Sequence, residues 1–150
     1  MGGSGRKSRR GILFYIGVKE RIVIQVLLIE DNDDDIELAE RAFEKVNLAE
    51  KVRVARNGKE ALDYLFMPDS TVQLILLDLN LPQVSGLDVL RQIRLNPTTK
   101  ALPVVVLTVS RKEPDLLQSF TMGISDYLIK PLDPARFEQM YRKYVRESAP

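Results

Sequence analysis

The sequence predicts a doubly wound α/β domain built around a five-stranded parallel sheet. Short apolar runs alternate along the 150 residues with segments in which apolar residues recur every three or four positions, the spacing of one helix face. The apolar runs are continuous instead of alternating with polar residues, which is typical of strands covered on both faces. Five such strand and helix units favour a parallel sheet with strand order 2-1-3-4-5.

The first two units occupy the N-terminal half of the chain. Residues 23 to 29 form a predicted strand that stops at the acidic run of residues 30 to 35, whose later aspartates suit the positive end of a helix dipole. The apolar face of this first helix comprises Ile36, Ala39, Phe43 and Val46. A second strand covers residues 52 to 55, and Asn57 is the predicted cap of a second helix, with Glu60 three residues later. The buried stripe of that helix comprises Ala61, Leu62, Leu65 and Phe66.

The third unit contains a short apolar run that ends in a carboxylate. Residues 74 to 77 are apolar, Asp78 follows them, and a proline four residues later stops the segment. Ser85 and Asp88 have the spacing of a capping box at the start of a third helix, which ends before the Asn-Pro pair at residues 96 and 97. The inward residues of this helix are Leu87, Leu90 and Ile93.

The fourth and fifth units complete the predicted sheet. Residues 102 to 107 form a strand that ends at Thr108, and Pro114 suits the first turn of the next helix. The apolar residues of this fourth helix are Leu116, Leu117 and Phe120, and Gly123 closes it. Residues 127 to 129 form the fifth strand, which ends at Lys130. A fifth helix opens at Asp133-Pro134 and carries Phe137, Met140, Tyr141, Tyr144 and Val145 on one face, so that the whole pattern predicts a flavodoxin-like domain.

Composition limits what the chain can do. The chain contains no cysteine, which excludes a disulfide framework and a thiolate metal site and fits a reducing compartment. It contains no histidine either, so a histidine-dependent mechanism must take its imidazole from a partner. The apolar patch at residues 12 to 18 is too short to cross a bilayer and no small-residue cleavage site follows it, so we expect a cytoplasmic protein.

A basic arm precedes the predicted domain. Residues 1 to 21 hold six lysines and arginines against Glu20, a net charge of +5 that leaves −4 for the rest of a chain whose total is +1. Such an arm can indicate contact with nucleic acid or an anionic membrane. Its glycine-rich start favours a disordered tail or a cloning remnant instead. We expect the domain to cover residues 22 to 148, with no output domain after it.

The carboxyl ends of parallel strands meet at one edge of the sheet, and there the sequence places several reactive side chains. They are Glu30 and Asp31 from the first strand, Asp78 from the third, Thr108 from the fourth and Lys130 from the fifth. Like charges this close repel one another unless a cation intervenes. Because oxygen is the only ligand type, the cation predicted here is Mg²⁺. An oxygen of Asp78 can then act as a nucleophile, while Thr108 and Lys130 hold the oxygens of a phosphoryl group.

These residues lie in motifs that resemble those of response-regulator receiver domains, the phosphoacceptors of two-component phosphorelays. The resemblance covers about residues 23 to 146. It rests on the Glu30-Asp31 pair, on Asp78 in Leu-Leu-Asp-Leu-Asn-Leu-Pro with Gly86 eight residues later, on Leu-Thr108, and on Asp-Tyr127-Leu-Ile-Lys130-Pro131. The longer connection at residues 94 to 103 is similar to that of single-domain regulators paired with bacterial phytochromes.

The resemblance implies a role for each site residue. Asp78 would accept a phosphoryl group from a sensor histidine kinase or a phosphotransfer protein, which supplies the histidine that this chain lacks. Asp31, Asp78 and the main-chain carbonyl of Asn80 would bind Mg²⁺, with Glu30 acting through a bound water. Thr108 and Tyr127 match the switch pair of the family, and the peptide bond before Pro131 is often cis in it.

The resemblance also implies how the signal leaves the domain. The family is a signalling switch and catalyses only its own phosphotransfer and slow dephosphorylation. We expect a downstream protein target, no direct DNA-binding domain, and a homodimer through the face formed by the fourth helix, fifth strand and fifth helix. One departure from the family is Val109, because the residue after the switch threonine is usually small.

Three other functions fit parts of the pattern. A Mg²⁺-dependent phosphohydrolase that works through an aspartyl phosphate generally needs a second aspartate two residues after the nucleophile, where this chain has Asn80. A nucleotide or flavin binder needs glycines after the first strand, where residues 30 to 35 are acidic and repel phosphate. A pseudo-receiver that serves only as an interaction surface is disfavoured because every site residue is present.

Overall fold

The computed structural model describes residues 22 to 146 of the chain. The predicted basic arm, residues 1 to 21, lies outside the described residues, as do residues 147 and 148 at the end of the predicted domain. The two predicted domain boundaries therefore stay predictions. No helix among residues 22 to 146 is long and apolar enough to cross a membrane.

The sheet has five parallel strands in the order β2-β1-β3-β4-β5, which confirms the predicted fold class and strand order. The strands are β1 (Val26–Ile29), β2 (Val52–Ala55), β3 (Leu74–Asp78), β4 (Val104–Thr108) and β5 (Asp126–Ile129). Ile29 of β1 lies opposite Leu77 of β3, and Asp78 lies opposite Leu107 of β4. The last residues of the three central strands, β1, β3 and β4, thus lie at the same edge of the sheet.

Two strands begin later than the sequence predicts. β1 begins at Val26 rather than at residue 23, because β2 and β3 begin in register with Val26, at Val52 and Leu74. Val23 is accordingly exposed. β4 begins at Val104 rather than at residue 102, because Pro103 has no N–H to donate and the N–H of Leu102 bonds to the carbonyl of Thr99 instead.

Within residues 22 to 146, four α-helices and one short 3₁₀-helix connect the strands, and a fifth α-helix follows β5. The α-helices are α1 (Asp33–Lys45), α2 (Gly58–Leu65), α3 (Gly86–Leu95), α4 (Pro114–Thr121) and α5 (Pro134–Tyr144), and the 3₁₀-helix covers Ala49–Lys51. Asn57 and Ser85 cap α2 and α3 as predicted, because each side chain accepts the N–H three residues later, at 2.8 and 3.2 Å. Asn32 and Asp133 cap α1 and α5 in the same way.

The core consists of two apolar layers, one on each face of the sheet. One layer is covered by α2, α3 and α4, and the other by α1 and α5. Phe43 of α1 and Phe137 of α5 are buried against each other with ring centroids 4.6 Å apart. This arrangement explains why the strands are apolar on both sides.

The predicted apolar faces of α2 and α4 are partly wrong. Leu117 and Phe120 on α4 are 61% and 49% exposed, and Phe66, just after α2, is also exposed. Consecutive helix residues point about 100° apart, so Leu116 and Leu117 cannot both face the core, and Leu116 is the buried one. Phe120 instead packs edge-to-face on Tyr127 of β5, with ring centroids 6.1 Å apart.

Two glycines and one proline fix the course of the chain at the ends of helices and strands. Gly123 follows α4 with φ of 79°, in the left-handed region that favours glycine, and so closes the helix as predicted. A Cβ on Gly86 would lie 2.4 Å from Leu79 Cα, so α3 can begin this close to the end of β3 only with glycine there. The Lys130–Pro131 peptide bond is cis.

Candidate functional site

Three carboxylates meet at the carboxyl edge of the sheet. Glu30 directly follows β1, Asp31 comes next, and Asp78 is the last residue of β3. One carboxylate oxygen from each of the three residues lies within 4.8 Å of the other two. Glu30 and Asp78 are only 1% and 5% exposed, whereas Asp31 is half-buried at the opening of the cluster. Three of the predicted site residues are therefore side by side.

Lys130 enters this cluster from the end of β5. Its Nζ donates to Glu30 Oε1 at 2.7 Å, to Asp78 Oδ2 at 3.1 Å and to Asp35 Oδ2 at 2.9 Å. The main-chain N–H of Lys130 donates to the carbonyl of Thr108 at 2.7 Å, which fixes the lysine beside the end of β4. Each of the three ammonium protons thus has a carboxylate partner.

The cluster holds more negative charge than Lys130 can neutralise. Burial raises the pKa of Glu30 from 4.5 to about 7. The hydrogen bond with Asp78 and the charge of Asp78 also raise this pKa, whereas Lys130 lowers it. Burial alone would lower the pKa of Lys130, but its hydrogen bonds to Glu30 and Asp35 and the charge of Asp78 raise it. One ammonium faces several carboxylates, and a further cation would be stabilised here.

The donor set fits a hard divalent cation. All the candidate ligands are oxygens, two of the carboxylates are buried, and Asp31 borders the solvent. Mg²⁺ prefers one or two carboxylates together with water, which this arrangement can supply. The orientation of Asp78 is fixed on both sides, because Oδ1 accepts the Asn80 N–H at 2.9 Å while Oδ2 accepts from Lys130.

The side chains of the two predicted switch residues contact groups outside the carboxylate cluster. Thr108 is buried at the end of β4, and its hydroxyl has two acceptors within reach for its single proton, the Glu113 carboxylate and the carbonyl of Ser110 at 3.0 Å. Tyr127 is half-buried on β5 against Phe120 and the core layer that α4 covers. The switch role of Thr108 and Tyr127 stays a prediction.

The sequence analysis missed three residues that contact the site. Asp35 was interpreted only as a residue that suits the helix dipole, yet it binds Lys130. Asp35 lies in the first turn of α1 whereas Asp31 precedes the helix, so helical spacing does not indicate this contact. Arg56, after β2, donates to the main-chain carbonyl of Asp31 at 3.2 Å. Glu113 reaches the end of β4 through a loop conformation that no sequence pattern indicates.

Comparison with known families decides the identity of this arrangement. Residues 26 to 142 match the response regulator receiver domain. The chain belongs to that family. Receiver domains are phosphoacceptors in two-component signalling, generally without an enzymatic activity toward other substrates, and histidine kinases supply their phosphoryl groups. The family predicted from the sequence motifs is thereby confirmed.

Individual relatives agree with the family. The probable methanogenesis regulatory protein FilR2 of Methanothrix harundinacea is 41% identical over 121 residues, which are 78% of this chain and 76% of FilR2. Response regulator Rcp1 of Synechocystis is 36% identical over 110 residues, covering 70% of this chain and 75% of Rcp1. By contrast, this chain spans only 26% of a probable cyclic di-GMP phosphodiesterase from Vibrio cholerae, at 33% identity.

Solved structures extend the similarity to phytochrome-associated regulators. The bacteriophytochrome response regulator AtBRR superposes with a TM-score of 0.73 at 38% identity, covering 85% of this chain and 96% of that one. The related regulator RtBRR superposes with the same TM-score at 36% identity. The match covers 85% of this chain and 81% of the RtBRR chain. The predicted similarity to this group of regulators is confirmed.

Proposed function

We propose that this receiver is a phosphoacceptor switch in which Asp78 takes a phosphoryl group from the phosphohistidine of a sensor kinase or phosphotransfer protein. The observation that carries the proposal is the position of Asp78. Its carboxylate is almost buried, is oriented by the Asn80 N–H and the Lys130 ammonium, and lies within 4.8 Å of two further carboxylates. A carboxylate with no chemical role would be costly in this setting.

The residues that take part in the transfer step lie at the edge of the sheet, and the partner supplies the donor. An oxygen of Asp78 attacks phosphorus, a new O–P bond forms, and the P–N bond to the donor imidazole breaks. The electron pair of that bond goes to the imidazole nitrogen, which takes up a proton from solvent. Lys130 and the hydroxyl of Thr108 then donate to oxygens of the transferred group. The chain has no histidine, in agreement with a donor histidine on the partner.

Mg²⁺ is the cofactor that the proposal includes. Glu30, Asp31, Asp78 and the main-chain carbonyl of Asn80 are the groups that would hold it, with Glu30 acting through water. When bound, it supplies positive charge that offsets the charges of the carboxylates and of the phosphoryl oxygens. The raised pKa of Glu30, caused first by burial and then by the neighbouring Asp78, supports this assignment because a bound cation would stabilise the ionised form.

A relative supports phosphorylation within this fold. A solved structure that is 35% identical, with a TM-score of 0.66, is described as the phosphorylated cyanobacterial phytochrome response regulator RcpA. The superposed region covers 90% of the RcpA chain and 81% of the present chain. We extend phosphorylation from that protein to the present one because Asp78, Lys130 and the acidic pair occupy one cluster here.

The proposed output surface is the face of α4, β5 and α5. Leu117 and Phe120 on α4 and Ile129 on β5 are exposed apolar side chains, and Phe120 contacts the predicted switch residue Tyr127. Occupancy of the site would draw Thr108 toward Asp78 and let Tyr127 fill the space that it leaves, shifting a two-state equilibrium. A homodimer or a protein target would bind this face. Phe120→Ala should weaken such binding, as measured by sedimentation of the phosphorylated protein, and unchanged association would argue against this face.

The other functions receive less support. A phosphohydrolase needs a proton donor two residues after the nucleophile, and the Asn80 side chain there is an amide that donates to Glu113 at 3.5 Å. A nucleotide or flavin phosphate would be repelled by the acidic cluster. A pseudo-receiver would not need the full set of acidic, lysine and threonine residues.

Acetyl phosphate tests the proposal directly. Wild-type protein incubated with acetyl phosphate and Mg²⁺ should gain the mass of one phosphoryl group, and the gain should disappear when EDTA replaces Mg²⁺. Asp78→Asn should show no gain, whereas Asp88→Asn, at an exposed aspartate of α3, should behave as wild type. Full labelling of Asp78→Asn would contradict the assignment.

A further inference from the structure

Glu113 lies immediately before α4, at the cap position, but its side chain does not cap that helix. Instead the carboxylate turns back toward the end of β4. Its Oε1 accepts the hydroxyl hydrogen of Thr108 and the main-chain N–H of Val109, the latter at 3.0 Å. Its Oε2 lies 3.5 Å from the side-chain nitrogen of Asn80, which follows β3.

The groups that donate hydrogen bonds to Glu113 lie next to the proposed phosphoacceptor, Asp78. Thr108 and Asp78 end neighbouring strands, and Asn80 uses its main-chain N–H to hold Asp78 while its side chain points to Glu113. The hydrogen bond from Thr108, followed by those from Val109 and Asn80, lowers the pKa of Glu113, so the carboxylate is ionised at neutral pH. An anion therefore already occupies donors at the mouth of the site.

We propose that Glu113 is an internal competitor of the phosphoryl group, holding the Thr108 hydroxyl and the Val109 N–H in the unphosphorylated protein until the phosphoryl oxygens displace it. This inference rests on the proposed function of Asp78. A hydroxyl has one proton to donate, so Thr108 cannot serve Glu113 and a phosphoryl oxygen at the same time. Repulsion between the Glu113 carboxylate and the phosphoryl group also favours displacement of Glu113.

The position of Glu113 in the chain connects its displacement by the phosphoryl group to α4. Pro114, the first residue of α4, follows it directly. When the carboxylate is released, the restraint that its hydrogen bonds place on the start of α4 is released with it. The exposed residues Leu117 and Phe120 lie on that helix. Glu113 thus sets the cost of reaching the phosphorylated conformation, and it does so without touching the acceptor.

A purely structural role for Glu113 makes the opposite prediction. If the carboxylate only held the loop of residues 109 to 113 in shape, its removal would loosen the Thr108 and Val109 donors and weaken binding of a phosphoryl analogue. If it competes, removal frees those donors and strengthens binding. The direction of the change in affinity therefore separates the two roles.

The test measures binding of beryllofluoride, a phosphoryl analogue, in the presence of Mg²⁺. The readout is the amide resonance of Val109 during titration of the full chain. Glu113→Ala should lower the half-saturating concentration about tenfold, the effect of losing one competing charge-assisted hydrogen bond. Glu113→Gln keeps an acceptor oxygen without the charge and should fall between Glu113→Ala and wild type. Asp115→Ala removes a carboxylate from the first turn of the same helix and should match wild type.

The outcomes separate this inference from the function on which it rests. Unchanged or weaker binding in both Glu113 variants, with normal binding in wild type, would overturn the competition and leave Asp78 as acceptor. If wild type neither binds beryllofluoride nor gains mass from acetyl phosphate, the proposed function fails and the competition fails with it. Tighter binding in Asp115→Ala as well would also overturn the inference, since it would show a general effect of charge.

Discussion

Replacing Glu30 by glutamine is expected to change how the stability of the metal-free protein depends on pH. Glu30 is 1% exposed and lies beside Asp78, and its pKa rises from 4.5 to about 7 on folding. A carboxyl group with a raised pKa binds its proton more tightly in the folded state. Its favourable contribution is therefore complete below pH 4.5 and is lost as the pH rises through about 7.

The size of the effect follows from the two pKa values. With 4.5 in the unfolded chain and about 7 in the folded protein, the free energy of unfolding should fall by about 2 to 3 kcal/mol between pH 5 and pH 8. A glutamine at this position resembles the protonated glutamic acid and cannot ionise. The stability of Glu30→Gln should therefore rise by about 2 to 3 kcal/mol relative to wild type over the same interval.

Urea unfolding followed by circular dichroism provides the assay, at pH 5, 6, 7 and 8 with EDTA present to remove divalent cations. The quantity compared is the difference in unfolding free energy between wild type and Glu30→Gln at each pH. Glu40→Gln, at an exposed glutamate of α1, is the matched control and should show a constant difference from wild type. A constant difference for Glu30→Gln as well would refute the reasoning about buried negative charge.

Three further substitutions probe the metal, the backbone and the lifetime of the phosphorylated form. Asp31→Asn should weaken Mg²⁺ binding about tenfold or more by calorimetry, whereas Asp34→Asn should not, and equal affinities would remove Asp31 from the ligand set. Gly86→Ala should lower the free energy of unfolding by about 2 kcal/mol, because the new Cβ would lie 2.4 Å from Leu79 Cα, and unchanged thermal unfolding would show that the loop yields freely. Val109→Ala should shorten the life of the phosphorylated form about tenfold, since the bulky side chain narrows the path of attacking water. Equal rates of phosphate loss in Mg²⁺ would show that Val109 does not guard the site.

Much of the fold follows from local patterns in the sequence. The strands are buried on both faces, so their apolar residues are consecutive, and the caps Asn57 and Ser85 stand at the spacing that helix starts require. The acidic pair, Asp78 and Lys130 come together because parallel strands bring their carboxyl ends to one edge. Topology alone was sufficient to predict that cluster.

The rest depends on contacts that sequence spacing does not encode. The start of β1 depends on where its two neighbours begin, and the exposure of Leu117 depends on which side of α4 faces the sheet. Glu113 meets Thr108 only because the intervening loop folds back on itself. Asp35 is the intermediate case, since the acidic run places it in the first turn of α1 but does not indicate its contact with Lys130.

The most direct test of the central claim is to identify the residue that carries the phosphoryl group. Wild-type protein is phosphorylated with acetyl phosphate and Mg²⁺, the acyl phosphate is reduced with borohydride, and peptides are sequenced by mass spectrometry. Reduction converts a phosphorylated aspartate into homoserine. The account predicts homoserine at position 78 and at no other aspartate of the chain. Homoserine at Asp31 or Asp35, or a phosphorylated protein whose position 78 remains aspartate after reduction, would contradict it.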